Sequence, residues 1–299
     1  MVPSACQCYV RGLAFGSITM TEIIVINETF IRLACFLSIF TAIVLWEIGL
    51  PRRERKVSRW ARWPSNLAIV VLNTLLLRVL IPTAAVGVAL GMEAQNWGLL
   101  NQFAAPGWLI IVVAILVLDF AIYLQHIMFH AVPLLWRMHR MHHADLDFDV
   151  TTGARFHPIE ILLSMSIKLM VVTALGPPAA AVVIFEVLLN ATSMFNHGNV
   201  KMPLGLDRVL RWFVVTPDMH RVHHSILPDE TNSNFGFNLP WWDRLFGTYR
   251  AQPVAGHDGM TIGIEQFSSQ RELRLDRMLV QPFHGTVGRY PINRDSANG

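Results

Sequence analysis

Residues 108–145 read WLIIVVAILVLDFAIYLQHIMFHAVPLLWRMHRMHHAD. The stretch opens as an apolar run, Trp108 to about Gln125. As a helix it would cross most of a bilayer's roughly 30 Å hydrocarbon layer, which takes about 20 helical residues. It closes on His126, His130, His139, His142 and His143, spaced i, i+4 and then i, i+3, i+4. Those spacings put side chains on one helix face, so an apolar span is expected to deliver a group of imidazoles at one of its ends. Asp119 and Tyr123 fall on the stripe of His126 and His130, at i, i+4, i+7 and i+11.

Outward from this stretch the chain stays apolar. Ile31 to Leu50 and Leu67 to about Gly91 are two further long runs, the second interrupted by Arg78 and Pro82. Ile161 to Leu175 and Ala179 to Phe195 flank a Gly176-Pro177-Pro178 break and read as a helical hairpin that crosses and returns. The fold class expected is an all-α membrane protein of about four transmembrane helices, two plus a hairpin-like pair, with a cytoplasmic histidine-rich helical cap. Loop charge sets the orientation, because Lys and Arg collect on the cytoplasmic side. Six lie in 51–66, none in 92–107, three in 137–155 and six in 201–250. Residues 51–66, 126–160 and 196–299 are therefore expected on the cytoplasmic face.

Composition agrees. Of 299 residues 53% are hydrophobic and 15% charged, with a mean hydropathy of +0.41, where soluble domains carry about 25% charge. The balance fits an ordinary water-soluble enzyme poorly and excludes a disordered chain, and a net charge of +3 gives no sign of nucleic acid. Three cysteines, Cys6, Cys8 and Cys35, suffice for neither a disulfide framework nor a four-thiolate cluster, so any redox metal must be held otherwise. The first 20 residues are weaker than a secretory signal and read as a start-site artefact with Met20 the working initiator.

Ten of the twelve histidines lie between His126 and His224. A second H-x-x-H-H, His220, His223 and His224, repeats the first with matching flanks, Met138-His139-Arg140 against Met219-His220-Arg221. Chance predicts about 0.02 copies of that pattern. His157 (RFHP) and His197 (FNHGN) stand singly. Eight boxed imidazoles exceed the four to six ligands of one transition ion, which points to two metals, and imidazole suits Fe, Zn, Cu or Ni. Their place at span ends, at the depth of membrane-dissolved substrates, favours a redox-active, O2-using di-iron centre.

Other residues carry weaker expectations. Asp119 is expected to orient a histidine or hold a buried polar network or, alternatively, to pair with Arg78 or Lys168. Tyr123 is as readily core as site, and Asp218 is a candidate partner for a ligand's second nitrogen. Lys168 and Glu186 can pair with each other. Asp145, Asp147 and Asp149 read as a solvated edge, and His257 and His284 as surface residues.

With HIMFH, HRMHH and HRVHH in that order, and with LLWRMHRMHHAD, TPDMHRVHHS and NFGFNLPWWDRLFGTY around them, the sequence resembles the fatty acid hydroxylase/sterol desaturase superfamily of membrane di-iron enzymes over about residues 30–285. The first box has one intervening residue fewer than in acyl-CoA desaturases. The resemblance implies an O2- and iron-dependent oxidoreductase that hydroxylates or desaturates a C–H bond of a membrane lipid, sterol, fatty acyl or related. It implies two iron ions on His126, His130, His139, His142, His143, His220, His223 and His224, with His157 and His197 as further candidates. RFHPIE departs from the His-Pro-Gly-Gly of a fused b-type cytochrome, so an external ferredoxin or b-type cytochrome with its reductase is the expected electron donor. Residues 30–250 are then the membrane-embedded oxygenase domain, between a poorly defined segment 1–29 and a cytoplasmic tail 251–299. The rival readings are a non-catalytic membrane metal-binding or transport protein, whose ligands would sit at mid-span, and a haem bundle, which leaves the adjacent histidine pairs unused.

Overall fold

The computed structural model describes residues 19–293, so the expectations for Cys6, Cys8 and the rest of 1–18 lie outside the described residues. Helices make up the regular structure, and no strand occurs among the described residues, only isolated bridges of Pro51 with Val200 and Ser225 with Ile262. α1 (Met20–Ile26) begins in a capping box between Thr19 and Glu22. α2 (Glu28–Gly49) follows. The run from Leu67 to Gly91 forms two helices, α3 (Arg59–Leu80) and α4 (Ala84–Ala94), because Pro82 has no N–H to give and holds Ile81 out of the helical region at φ −134.

α5 (Gly107–Ala131) carries the apolar run and the first histidine pair on one continuous helix. It stops where Val132 turns extended and Pro133 takes the first position of α6 (Pro133–His143), so the first two boxes stand on two helices that meet at a corner. α7 (Pro158–Leu175) and α8 (Ala179–Asn196) form the expected hairpin. Gly176 ends α7 in the left-handed region at φ 60, and Pro178 caps the return helix. α9 (Leu204–Leu210) and α10 (Pro217–His223) complete the elements that frame the site.

Among the described residues five helical stretches are long and apolar enough to cross a membrane, where the sequence suggests about four: α2, Arg59–Gln102 across the Pro82 break, α5, α7 and α8. Their outward sides are apolar, as with Phe30, Leu33 and Leu45 on α2 and Val71, Leu75 and Val79 on α3, while Arg62, Asn66 and Asn73 of α3 are buried. This is the reverse of a water-soluble bundle and suits a chain immersed in lipid. α8 is the central helix. Its Ala179, Ala180 and Ala181 are fully enclosed, and small side chains there let α4 and α5 approach closely. Lys168 on α7 does pair with Glu186 on α8, at 2.7 Å, and Arg32 of α2 joins them.

Two expectations about polar segments are corrected at the histidine-bearing end. Asp145, Asp147 and Asp149 are buried, not a solvated edge. Arg62 holds Asp145 with two bonds of 2.7 Å and Asp149 with one of 2.6 Å, and Asp147 accepts from Lys56 N and Val57 N. Pairing at this quality offsets the cost of burying the charges. Residues 251–293 fold back onto the same end, burying Met260, Ile264, Met278 and Tyr290. His257, expected at the surface, is buried there beside Asp218, whereas His284 is exposed.

Candidate metal centre

Nine buried histidines gather into two groups, His126, His130, His139, His143 and His223 in one and His142, His197, His220 and His224 in the other. Within each group one ligand atom per residue lies within 4.8 Å of the rest. The division follows from helix geometry. At about 100° per residue the i and i+4 members of an H-x-x-H-H point nearly together, while the i+3 member is turned about 60° aside. So His139 and His143 stay in the first group and His142 crosses to the second. Box three does the opposite, with His220 and His224 in the second group and His223 in the first. The corner at Pro133 brings α6 against the end of α5, and Thr216 and Pro217 start α10 so that its short turn faces both.

Hydrogen bonds on the far side of the rings fix which nitrogen faces inward. The Nδ1–H of His126 donates to Phe235 O at 2.8 Å, that of His223 to Ser233 O at 2.7 Å, and that of His197 to Ser193 O at 2.8 Å. His130 Nδ1 meets Asn232 Oδ1 at 3.0 Å, and His139 Nδ1 donates to Glu160 Oε1 at 2.6 Å. Each of these rings then presents the lone pair of Nε2 to its group. The Nε2 atoms of His126, His130 and His223 are buried with no hydrogen-bond partner. In the second group the Nε2 of His197 lies 3.2 Å from that of His142 and 3.1 Å from that of His220. An unsatisfied buried acceptor costs about 1–3 kcal/mol, and a cation at the centre of each group would satisfy several at once. Burial, and after it the neighbouring imidazoles, holds His142, His143, His220, His223 and His224 well below 6.5, and burial pushes His197 down to about 3. That favours the neutral form of these six rings, the form a metal requires.

The structure places the remaining candidates apart from these groups. His157 caps α7, its Nδ1 accepting from Ile159 N and its Nε2 meeting Leu279 O. Of the readings of Asp119 the buried polar network is the one that fits: it bonds no histidine and neither Arg78 nor Lys168, and its Oδ2 accepts from Trp242 Nε1 at 2.8 Å. Asp218 pairs with Arg221 and, at 3.3 Å, with Arg52 rather than with a ring of either group. Tyr123 joins the site indirectly. Its hydroxyl bonds Thr248, Thr248 donates to Asp243, and Asp243 takes the N–H groups of Phe235 and Gly236, which shapes the turn whose Phe235 carbonyl holds His126.

Glu160, Asn232 and Ser233 escaped the sequence reading. Glu160 does carry a signal, a carboxylate in the first turn of a helix opened by Pro158, but its partner His139 stands on another element. The matched flanks of the boxes also have roles. Arg140 donates to the carbonyls of Gln281, His284 and Thr286, and Arg221 to Asp218 and Gly198 O.

The fatty acid hydroxylase family matches residues 111–248, from the first turns of α5 through all three boxes to Thr248. The match covers a little under half of the chain. The matched region contains all nine grouped histidines, and α1–α4 and residues 249–293 lie outside it. Among curated proteins the chain is similar to an ornithine lipid hydroxylase of Rhizobium tropici, 32% identical over 48% of this chain and 42% of the relative. An alkylglycerol monooxygenase of Xenopus tropicalis is 33% identical over 50% of this chain and 32% of its own length. The human cholesterol 25-hydroxylase is 27% identical over 48% and 52% respectively. The matched part thus spans about half the length of these relatives or less. No solved structure matches the chain.

Proposed function

We propose that the chain is a membrane-bound lipid hydroxylase whose two histidine groups hold a pair of iron ions. The observation that carries this is the set of nine buried imidazoles with inward-facing nitrogens, divided five and four, at the ends of apolar helices. The relatives named for hydroxylation and monooxygenation of lipids favour hydroxylation over desaturation and a lipid over a soluble substrate.

Bound iron supplies O2 activation and the oxidising power to attack an unactivated C–H bond. The protein contributes position and dryness. Glu160, Asn232 and the carbonyls of Ser193, Ser233 and Phe235 lock five rings in the tautomer that offers Nε2. Phe235 and Phe237 pack against the rings of His126 and His220 or His223, and Phe148 against His197 and His224, which excludes water. Hydroxylation consumes O2, two electrons and two protons and releases alcohol and water, so a separate donor such as a ferredoxin or b-type cytochrome with its reductase must supply the electrons. Residues 30–250 form the oxygenase part of this reading, with the boxes on the cytoplasmic side, as the loop charges require.

A membrane metal carrier is the competing reading, and the location of both groups at helix ends rather than mid-span weighs against it. Elemental analysis with Mössbauer spectroscopy of the full chain, grown on iron-57, tests the reading: about two irons per chain with a coupled signal are expected. Lipids extracted after turnover under 18O2 should carry the label in a new hydroxyl. Iron-loaded chain with a competent reductant and no labelled lipid would remove the hydroxylase reading, and failure to bind iron even after reconstitution would remove the centre itself.

A further inference from the structure

α9 is an inside-out helix. Its Asp207 is buried, bonded to Thr216 Oγ1 at 2.6 Å and to Arg211 at 2.5 Å, while Leu204, Leu206 and Val209 face outward. Trp212 and Phe213 extend the apolar side, and exposure reaches 67% at Leu204, 57% at Val209 and 63% at Phe213. A second segment lies against it. Trp241 Nε1 donates to Trp212 O at 2.6 Å, and Arg244 stacks between the rings of Trp212 and Tyr249. Leu245 and Phe246 of this segment are also exposed, Leu245 by 70%. A contiguous apolar patch of this kind on an otherwise polar end of a protein marks a contact surface.

Its position identifies the contact. Phe246 stacks on Phe120 and Tyr123 of α5, both at 5.7 Å, and Trp242 reaches Asp119. These α5 positions lie two to six residues before Gln125, which is about 3–9 Å along the helix into the apolar span. Lys201 N bonds Leu50 O, so the approach to α9 starts level with the end of α2. The patch is therefore continuous with the lipid-facing surface of the spans. Interfacial segments bury an apolar face about 5–10 Å below the headgroups, with Trp at the boundary and cations beside the phosphates. Lys201 and Arg208, both exposed, sit where those cations belong.

We infer that Leu204–Phe213 and Trp241–Phe246 form a lip that is inserted into the histidine-side leaflet of a phospholipid bilayer. Within 196–299, expected on the cytoplasmic face, these two segments would then lie in the leaflet itself. The lip also has a bearing on access to the site. Phe235 and Phe237, against the histidine groups, and Trp241–Phe246, in the leaflet, belong to one short stretch of chain, so the lip lies close in sequence to the edge of the centre. The inference rests on the reading of α5 as a span.

Spin-label accessibility on the full chain in phosphatidylcholine/phosphatidylglycerol nanodiscs tests it. With Cys6, Cys8 and Cys35 replaced by Ser, single cysteines are placed by Val209→Cys and Leu245→Cys in the lip, Val117→Cys on the exposed side of α5, and Asp276→Cys on the water-facing end. Oxygen collisions should dominate over those of a water-soluble nickel chelate at 209, 245 and 117, and the reverse should hold at 276. Nickel-dominated collisions at 209 and 245 with oxygen-dominated ones at 117 overturn the lip and leave the span standing. Nickel dominance at 117 as well removes both. Spin–spin broadening at 245 that vanishes on dilution with unlabelled chain would show a second copy covering the patch, which also overturns the inference.

Discussion

Glu160 stands beside the first histidine group without belonging to it, and its Oε1 accepts from His139 Nδ1 at 2.6 Å while Oε2 has no partner. A carboxylate in this position fixes the ring's tautomer and strengthens its Nε2 as a donor, and losing such a partner typically costs 10–100-fold in metal affinity. Glu160→Ala is therefore expected to weaken metal retention by about 10–100-fold in a chelator competition. Glu160→Gln, whose amide oxygen can still accept from Nδ1, should recover most of it. Equal retention by wild type and Glu160→Ala would show that the ring is held without the carboxylate. The contrast with the histidines shows what a sequence discloses at this scale. Spacing on one helix reveals residues that act together because backbone geometry alone aligns them, as with His139 and His143. His139 and Glu160 meet only because α6 and α7 pack together, and no local period records that. Asp145 and Asp149 were misread for the same reason, since their partner Arg62 lies on α3.

At the scale of elements, each H-x-x-H-H helix serves both groups, sending its i and i+4 histidines one way and its i+3 histidine the other. The first group has five candidate ligands and the second four, so the second has less to spare. His220→Ala leaves three nitrogens and is expected to lower bound metal from about two toward one per chain. His143→Ala leaves four in its group, and metal should stay near two with faster loss to chelator. Metal stoichiometry of the two purified variants decides it, and an equal fall in both would mean that the groups do not load separately. The boxes, the order of helices and the α7–α8 hairpin were legible because each rests on a local pattern: helical period, a Gly-Pro-Pro break, apolar length. Which group each half of an H-x-x-H-H box joins, and how α3 and α4 lie after the break of the second run at Pro82, depend on where helices point after a proline. That direction is set by the packing around α8.

On the whole molecule the histidines act together against acid. His142, His143, His220, His223 and His224, outside the spans, have values well below 6.5, held there by burial and then by neighbouring imidazoles, and His197 is near 3 through burial. Above pH 6.5 folded and unfolded chains both keep these rings neutral. As the pH falls below 6.5 the unfolded chain takes up protons that the folded one refuses, so stability drops by about 1.4 kcal/mol per pH unit for each ring. The loss continues toward pH 3, where His197 itself protonates in the folded state. Thermal unfolding of metal-free chain in detergent should thus be flat from pH 8 to 7 and shift steeply to lower temperature from 6.5 to 5. A midpoint unchanged over that lower range would show that the rings are open to water. Orientation is the other property of the whole, and the structure changes how it must be tested. Removing the six positive charges of 51–66 would also remove Arg62 from Asp145 and Asp149, and Arg59 from Glu47. Breaking a buried pair costs about 3–5 kcal/mol, so such a variant tests folding more than topology. Labelling leaves the pairs intact. The Arg53 guanidinium donates to Met260 O at 2.6 Å, which fixes residues 51–66 and the folded-back 251–293 on the same end. With native cysteines replaced, Ala104→Cys should react with an impermeant maleimide on intact cells, while Lys56→Cys and Asp276→Cys should react only after permeabilisation. The opposite pattern would place the histidine groups outside and remove the access to a cytoplasmic reductant on which the hydroxylase reading depends.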